Sequence, residues 1–180
     1  MASASMVERA LFMIGDQDTG KSTQLRSLFL DHRLGNRGQV PDARNLPNSF
    51  ALSNERRLYL RLTSPHEVGE SLHDFFDKFD AAIAGGPQRR WCYAGPLQPT
   101  GTEGLADAPS VIGAFVRRYS PERVRAVILS PTWRGAHFGS AAHDALVDAL
   151  LATPGVEVVT ADARHRTANG LVYADFFDFT

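Results

Sequence analysis

The chain has 180 residues, of which 43% are hydrophobic and 22% are charged, and its formal net charge is −1. This composition is typical of one folded domain and excludes a disordered chain, so we expect residues 1–180 to form a single domain. The balanced charge gives no indication of nucleic-acid or membrane-surface binding. One cysteine, Cys92, excludes an intrachain disulfide and a cysteine-based zinc cluster. No apolar run is long enough to span a bilayer, and we expect a cytoplasmic protein without a membrane span.

The first predicted strand is the apolar run at residues 9–14, which Gly15 ends. A run this short favours a buried strand over a helix. Residues 19–34 then have the apolar spacing of a helix, with Gly35 as its stop signal. Glycine, proline and polar residues follow over residues 35–47, which predicts an exposed loop.

Two strands and a helix are predicted next. Residues 49–53 alternate polar and apolar side chains and residues 57–62 follow a turn, which predicts an antiparallel hairpin. Helical spacing of apolar residues covers residues 68–83, and glycines end it. Phe75, Phe76 and Phe79 on this helix are predicted core residues.

The second half alternates short strands with helices. Strands are predicted at residues 91–94, 124–129 and 156–160, and helices at residues 111–119, 141–151 and 167–179. The last helix carries Phe176, Phe177 and Phe179, which are predicted either as core or as a docking tail for a partner. Together these elements predict an α/β fold with a mostly parallel sheet of about six strands and one antiparallel edge strand.

A phosphate-binding motif lies between the first strand and the first helix. Residues 15–22 read GDQDTGKS and match G-x-x-x-x-G-K-[ST] without a mismatch. Glycines allow successive backbone N–H groups to face one anion, and the helix N-terminus adds partial positive charge. We expect Lys21 to reach the β- and γ-phosphates and Ser22 to bind Mg²⁺. The predicted nucleotide-binding residues are Gly15, Asp16, Gln17, Asp18, Thr19, Gly20, Lys21, Ser22 and Thr23.

Two features qualify this motif. Asp16 and Asp18 would place two carboxylates beside the phosphate, which weakens nucleotide binding. The simpler alternative is a glycine turn whose Thr19 or Ser22 caps the following helix. Against that alternative, the chain has only two lysines, and one of them stands at the position that the motif requires.

On these residues the chain resembles the P-loop NTPase superfamily. That resemblance implies a three-layer P-loop NTPase fold and Mg²⁺ with GTP or ATP as ligand. The order of elements over roughly residues 9–180 is similar to that of a small Ras-like GTPase. It implies a first switch loop at residues 35–49, a second at residues 63–67, and a base-covering loop at residues 158–163.

The sequence departs from the GTPase pattern at several functional positions. Thr63 and His66 stand where that family has an Asp that positions Mg²⁺ and a Gly that senses the γ-phosphate, and Glu67 replaces a Gln that orients water. The guanine-reading N-K-x-D is absent, and residues 130–133 (SPTW) occupy its place. No hydrophobic strand ends in Asp or Glu, so a standard Walker B is missing as well.

These departures predict a divergent GTPase-like switch, with weak or lost hydrolysis, that acts with a protein partner. Glu67 and His66 are the candidate catalytic residues, and Ser22 and Thr63 are the candidate metal ligands. The six scattered histidines predict no transition-metal site. Trp133, on the loop after the fifth strand, is predicted to stack on a base or a partner, or else to pack on the surface.

Other functions remain open. Residues 20–26 (GKSTQLR) resemble the start of thymidylate-kinase-like enzymes, in which residues 164–166 would serve as a lid and Arg89 and Arg90 would lie near an acceptor. A small-molecule or nucleotide kinase and another ATPase are therefore alternatives. A non-catalytic protein-interaction module on a relic GTPase fold is the alternative from a different class.

Overall fold

Strands and helices alternate along the residues that the computed structural model describes, which are 6–43, 46–86 and 90–178. The strands are β1 (Met6–Ile14), β2 (Ser49–Ala51), β3 (Arg56–Leu60), β4 (Arg90–Leu97), β5 (Arg123–Leu129) and β6 (Val156–Ala161). The α-helices are α1 (Lys21–Arg26), α2 (Leu72–Gly85), α3 (Ala108–Tyr119), α4 (Ser140–Leu151) and α5 (Gly170–Asp175). Over these ranges, no helix has both the length and the apolar character to cross a membrane.

The strands form one sheet in the order β2-β3-β4-β1-β5-β6. All neighbouring strands run parallel except β2 and β3, which are antiparallel, with Phe50 opposite Leu58. The α/β fold, with a mostly parallel six-stranded sheet and one antiparallel edge strand, is therefore as predicted. β1 lies inside the sheet, where Leu11 is opposite Ala94 of β4 and Arg125 of β5.

Each face of the sheet is covered by apolar side chains. On one face, Phe12 of β1 packs with Phe79 of α2 and Phe115 of α3. On the other face, Leu11 of β1 packs with Leu25 of α1. Successive residues of β1 thus enter opposite faces, as the pleat of a strand requires. The loop after β1 is therefore held by a strand that is packed on both faces.

The predicted aromatic core is confirmed for the residues that are described. Phe75, Phe76 and Phe79 are buried under the sheet, and Phe176 and Phe177 are buried on the opposite face. The docking-tail alternative is therefore wrong for these two terminal phenylalanines. Phe179 lies outside the described residues.

The helix predicted over residues 19–34 is shorter in the structure. α1 is followed by two short 3₁₀ helices, Ser27–Leu30 and His32–Leu34. The Ser27 hydroxyl donates to the Gln24 carbonyl at 2.5 Å, in competition with the α-helical backbone pattern. Gly35, at φ 83°, ends the segment where the sequence predicted its end.

The helix predicted from residue 68 begins later, at Leu72. Ser71 and Asp74 form a capping box, in which the Ser71 hydroxyl accepts the Asp74 N–H and the Asp74 carboxylate accepts the Ser71 N–H. Val68 therefore lies outside α2 and is exposed. Residues 63–70 form a loop, and Glu67 lies on it.

Other element boundaries also shift. β4 continues three residues beyond Ala94, to Leu97, through Gly95 and Pro96, which the sequence analysis assigned to a loop. A β-carbon at Gly95 would lie 2.2 Å from the Tyr93 hydroxyl, so close packing explains the glycine. The hairpin strands and the last helix are shorter than predicted. Residues 44–45 of the predicted switch loop, and Arg89, lie outside the described residues.

Replacing Phe115 by alanine is expected to lower the free energy of unfolding by about 3–5 kcal/mol, because a large buried ring leaves a cavity. The Phe115 ring is fully buried, and its centroid lies 5.2 Å from that of Phe12. Val172→Ala on α5, where the side chain is 59% exposed, is the control and should change stability by less than about 0.5 kcal/mol. Denaturant unfolding measures both, and equal effects in the two variants would contradict this assignment of the core.

Candidate functional site

The loop that carries the motif connects β1 to α1 at the carboxyl ends of the strands, which is where open α/β sheets bind ligands. The Gly15 N–H donates to the Leu97 carbonyl at 3.3 Å. The Thr19 hydroxyl donates to the Asp16 carbonyl at 2.8 Å. A β-carbon at Gly15 would lie 2.4 Å from that hydroxyl, and Gly20 has a φ of +100°. Gly15 is therefore explained by the close approach of the Thr19 side chain, and Gly20 by its left-handed backbone conformation.

Lys21 is a buried cation at the start of α1. Its side chain is 4% exposed, and Nζ lies 3.2 Å from Oε1 of Glu67. The ammonium also donates to the Asp16 carbonyl at 2.6 Å. Burial lowers the pKa of Lys21, and the Glu67 carboxylate opposes that effect by stabilising the charged amine. The structure thus brings together two of the predicted site residues, one at the start of α1 and one on the loop at residues 63–70.

A small cavity of about 70 Å³ lies beside this ion pair. It is lined by Asp18, Thr19, Gly20, Lys21, Ser22, Leu62 and Glu67. By volume, it holds about two water molecules or one small anion. Its charged lining consists of one ammonium and two carboxylates, and the exposed Asp16 and Gln17 lie on the same loop.

His66 holds the neighbouring loop in place. Its Nε2 donates to the Ala106 carbonyl at 2.7 Å, and its Nδ1 accepts from the Gln98 N–H at 3.3 Å. Burial lowers the pKa of this imidazole, which favours the neutral ring that these contacts require. Both ring nitrogens are engaged with backbone groups. The geometry therefore gives His66 a role in positioning Glu67, and its predicted acid–base role stays a prediction.

The two predicted metal ligands, Ser22 and Thr63, line different cavities. Ser22 lines the small cavity. Thr63 lines a separate cavity of about 400 Å³, beside Arg61, Glu70 and Lys78. In that cavity Glu70 accepts from Arg61 at 2.6 Å and from Lys78 at 2.5 Å. A shared role of Ser22 and Thr63 at one metal ion stays a prediction that this arrangement does not favour.

A third cavity, of about 720 Å³, opens beside the motif loop. It is lined by Asp18, Gly20, Ser22, Thr23, Trp133, Arg134, Arg164 and Arg166. The lining is rich in guanidinium groups, and Arg134 lies over the Trp133 ring at 4.7 Å from its centroid. This cavity therefore offers an aromatic face and several hydrogen-bond donors next to the motif loop.

Trp133 contacts the motif loop directly. The indole Nε1 donates to the Asp18 carbonyl at 2.5 Å, and a β-carbon at Gly20 would lie 3.4 Å from the ring. The side chain remains 48% exposed. Trp133 thus supports the loop with one edge and keeps part of its surface open to the cavity. Trp133 can therefore pack against the protein and still offer a face on which a ligand could stack, so the two alternatives for this residue do not exclude each other.

Sequence analysis missed Gln24, a buried residue of α1 that fixes one wall of the larger cavity. Its amide donates to the His165 carbonyl at 3.1 Å. Its side-chain oxygen accepts from Asn169 at 3.2 Å and from the Tyr173 hydroxyl at 3.3 Å. The segment that carries Arg164 and Arg166 is thereby attached to α1. The one signal in the sequence is a glutamine on the apolar side of a predicted helix.

Comparisons with known proteins identify no relative. No protein-family model, curated protein or solved structure is significantly similar to this chain. The description of the site therefore rests on its sequence motif and on the geometry given above.

Replacing His66 by glutamine is expected to reduce the loss of stability on acidification. The folded-state pKa of His66 lies below its unfolded value, so the unfolded chain takes up a proton first. The stability from the neutral ring is fully present above about pH 6.5 and is lost as the pH falls through the folded-state pKa. The slope from one such group is at most about 1.4 kcal/mol per pH unit.

Urea unfolding of the wild type and His66→Gln between about pH 5 and pH 7.5 measures this difference. His137→Gln, at an exposed histidine, is the matched control and should keep the wild-type slope. Identical slopes for the wild type and His66→Gln would be inconsistent with the role assigned to the buried ring.

Proposed function

We propose that this chain is a P-loop nucleotide-binding protein, similar to a small GTPase, with weak or lost hydrolysis. The observation that carries the proposal is the buried Lys21 ammonium at the end of a GDQDTGKS loop, beside a cavity that is large enough for one small anion. Helices on both faces of a mostly parallel sheet are compatible with the three-layer P-loop NTPase fold. In this proposal residues 1–180 form the nucleotide-binding domain.

The motif loop would bind the phosphates. Lys21 would supply the positive charge for the β- and γ-phosphates, and backbone N–H groups of residues 16–22 would surround them. The α1 N-terminus adds a favourable dipole. Thr23, on the first turn of α1, faces the larger cavity and lies where the chain can contact the rest of the nucleotide.

The residues of the small cavity fit a Mg²⁺ ion that arrives with the phosphates. Ser22 and Asp18 carry hydroxyl and carboxylate oxygens, the donors that this ion prefers. Within the described ranges, no group of three His, Cys, Asp or Glu side chains could hold a metal ion. Phosphate oxygens and water would therefore complete its coordination. When bound, the ion would neutralise part of the phosphate charge.

The larger cavity would take the nucleoside. An indole face and guanidinium planes are the groups on which bases stack. Trp133, Arg164 and Arg166 supply them within one cavity that also includes Ser22 and Thr23 of α1. Arginine and tryptophan side chains only donate hydrogen bonds, so these three side chains would contact a base through its acceptor atoms. Both GTP and ATP present such atoms.

Slow hydrolysis follows from the charges around Lys21. Asp16, Asp18 and Glu67 all act electrostatically on its ammonium, and negative charge there opposes stabilisation of the transferring phosphoryl group. Both ring nitrogens of His66 are engaged with the backbone. Of the two candidate bases, His66 and Glu67, Glu67 is therefore the better placed, because its carboxylate lines the small cavity. A protein partner that supplies an arginine would raise the rate.

A kinase is the second candidate, and the position of Arg164 and Arg166 favours it. Both line the larger cavity, as a phosphate-contacting lid would. Arg90 does not support this alternative, because it pairs with the buried Glu8 at the amino ends of the strands. The acceptor would therefore have to bind elsewhere.

Mg-GTP or Mg-ATP is expected to raise the melting temperature of the wild-type protein. A ligand at about one hundred times its Kd stabilises the folded state by about 2.7 kcal/mol, which corresponds to about 5–10 °C for a domain of this size. Lys21→Ala should abolish the shift, because the phosphate loses its cation. Lys78→Ala, at the other lysine of the chain, is the matched control and should keep it. No shift with either nucleotide would overturn the proposal.

Turnover is expected to be at or below about 10⁻² s⁻¹, the range of GTPases without a partner's arginine. Phosphate release measured with Mg-GTP and with Mg-ATP tests this value. Turnover of several per second that is lost in Lys21→Ala would contradict the idea of a degraded site. Parallel loss in Glu67→Ala would identify Glu67 as the catalytic group.

A further inference from the structure

Glu67 and a bound phosphate would both have to pair with the Lys21 ammonium. The Glu67 carboxylate lies 3.2 Å from the Lys21 ammonium, which is the charge that the motif offers to an anion. Both side chains line the 70 Å³ cavity. A phosphate oxygen on Lys21 would therefore come close to the carboxylate oxygens of Glu67, and like charges at such distances repel strongly in a partly buried site.

We propose that Glu67 is an internal competitor of phosphate, so that an anion binds Lys21 only when the Glu67 side chain turns away. The inference rests on the proposed function, because it takes the site to be one for phosphate. It makes Glu67 the residue that sets the affinity of the site. The anion class concerned is the polyphosphate of a nucleoside triphosphate.

Lys21 is the fixed member of the pair. It is the first residue of α1, its side chain is 4% exposed, and a second bond to the Asp16 carbonyl holds Nζ. Moving the ammonium would remove one of the two donors to that carbonyl, the other being the Thr19 hydroxyl, and would disturb a buried position. Phosphate must therefore reach Lys21 where it stands.

Glu67 is the mobile member. Its side chain is 26% exposed, and over the described ranges Lys21 is its one ion-pair partner. The loop around it is anchored on both sides, by His66 to the Ala106 carbonyl and by Glu70 to Arg61. The carboxylate can therefore turn into solvent by side-chain rotation alone, while the backbone of the loop stays in place.

Substitution of Glu67 tests the competition directly. Calorimetry with inorganic tripolyphosphate should show binding to Glu67→Gln at least about ten-fold tighter than to the wild type, because one like charge leaves the site. Glu103→Gln removes the same charge at an exposed position away from Lys21 and should bind as the wild type does. Lys21→Ala should not bind. Circular dichroism checks that each variant is folded.

A second measurement tests the ion pair without any ligand. The chain has only two lysines, Lys21 and Lys78, so NMR of labelled lysine side chains follows each amine separately. In Glu67→Gln the pKa of Lys21 should fall, because burial is then less opposed. The signal of Lys78, whose ion pair is with Glu70 and not with Glu67, is the internal reference.

The outcomes separate the two proposals. Equal binding of tripolyphosphate by the wild type and Glu67→Gln, lost in Lys21→Ala, would overturn the competition and leave nucleotide binding standing. An unchanged Lys21 pKa in Glu67→Gln would also overturn the competition. Absence of binding to both the wild type and Glu67→Gln at millimolar ligand would overturn the proposed function together with the competition.

Discussion

The enclosure of β1 is the constraint on which the candidate site depends. This strand has a parallel neighbour on each side and apolar side chains packed on both faces, so residues 10–14 are completely buried. Residues 10–14 of this strand are all apolar, and the next charged side chain along the chain is Asp16 on the loop. The loop that follows therefore starts from a rigid strand, and this strand fixes the positions of Gly15, Lys21 and their neighbours.

Charge is distributed unevenly along the surface that this loop occupies. The small cavity combines Lys21 with the carboxylates of Asp18 and Glu67, whereas the larger cavity combines three arginines and Trp133 with Asp18, which lines both. A nucleotide lying across both would meet hydrogen-bond donors at its nucleoside and a lysine flanked by carboxylates at its phosphates. Under the proposed function, Lys21 supplies the attraction for the phosphates, and the carboxylates of Asp18 and Glu67 weaken it.

Local sequence patterns predicted the helices and strands well, but such patterns do not predict contacts between distant segments of the chain. The apolar run of β1 and the glycine at position 35 are local signals, and the structure agrees with them. The start of α2 was misplaced because apolar spacing continues back to Val68, although Ser71 and Asp74 carry the capping signal. At the site, Lys21 and Glu67 were both selected, yet their contact depends on His66 reaching a backbone carbonyl 40 positions away.

The hydrogen bonds of Gln24 have a consequence for how the chain can vary in evolution. One buried side chain joins α1 to residues 165, 169 and 173. Inserting or deleting a residue between Asp162 and Asn169 would move these partners out of register together and leave a buried amide unsatisfied. The segment is therefore fixed in length, although the side chains of His165, Thr167 and Ala168 are exposed and lie outside the lining of the larger cavity. Natural variants of this protein should differ there by substitution and hardly ever by length.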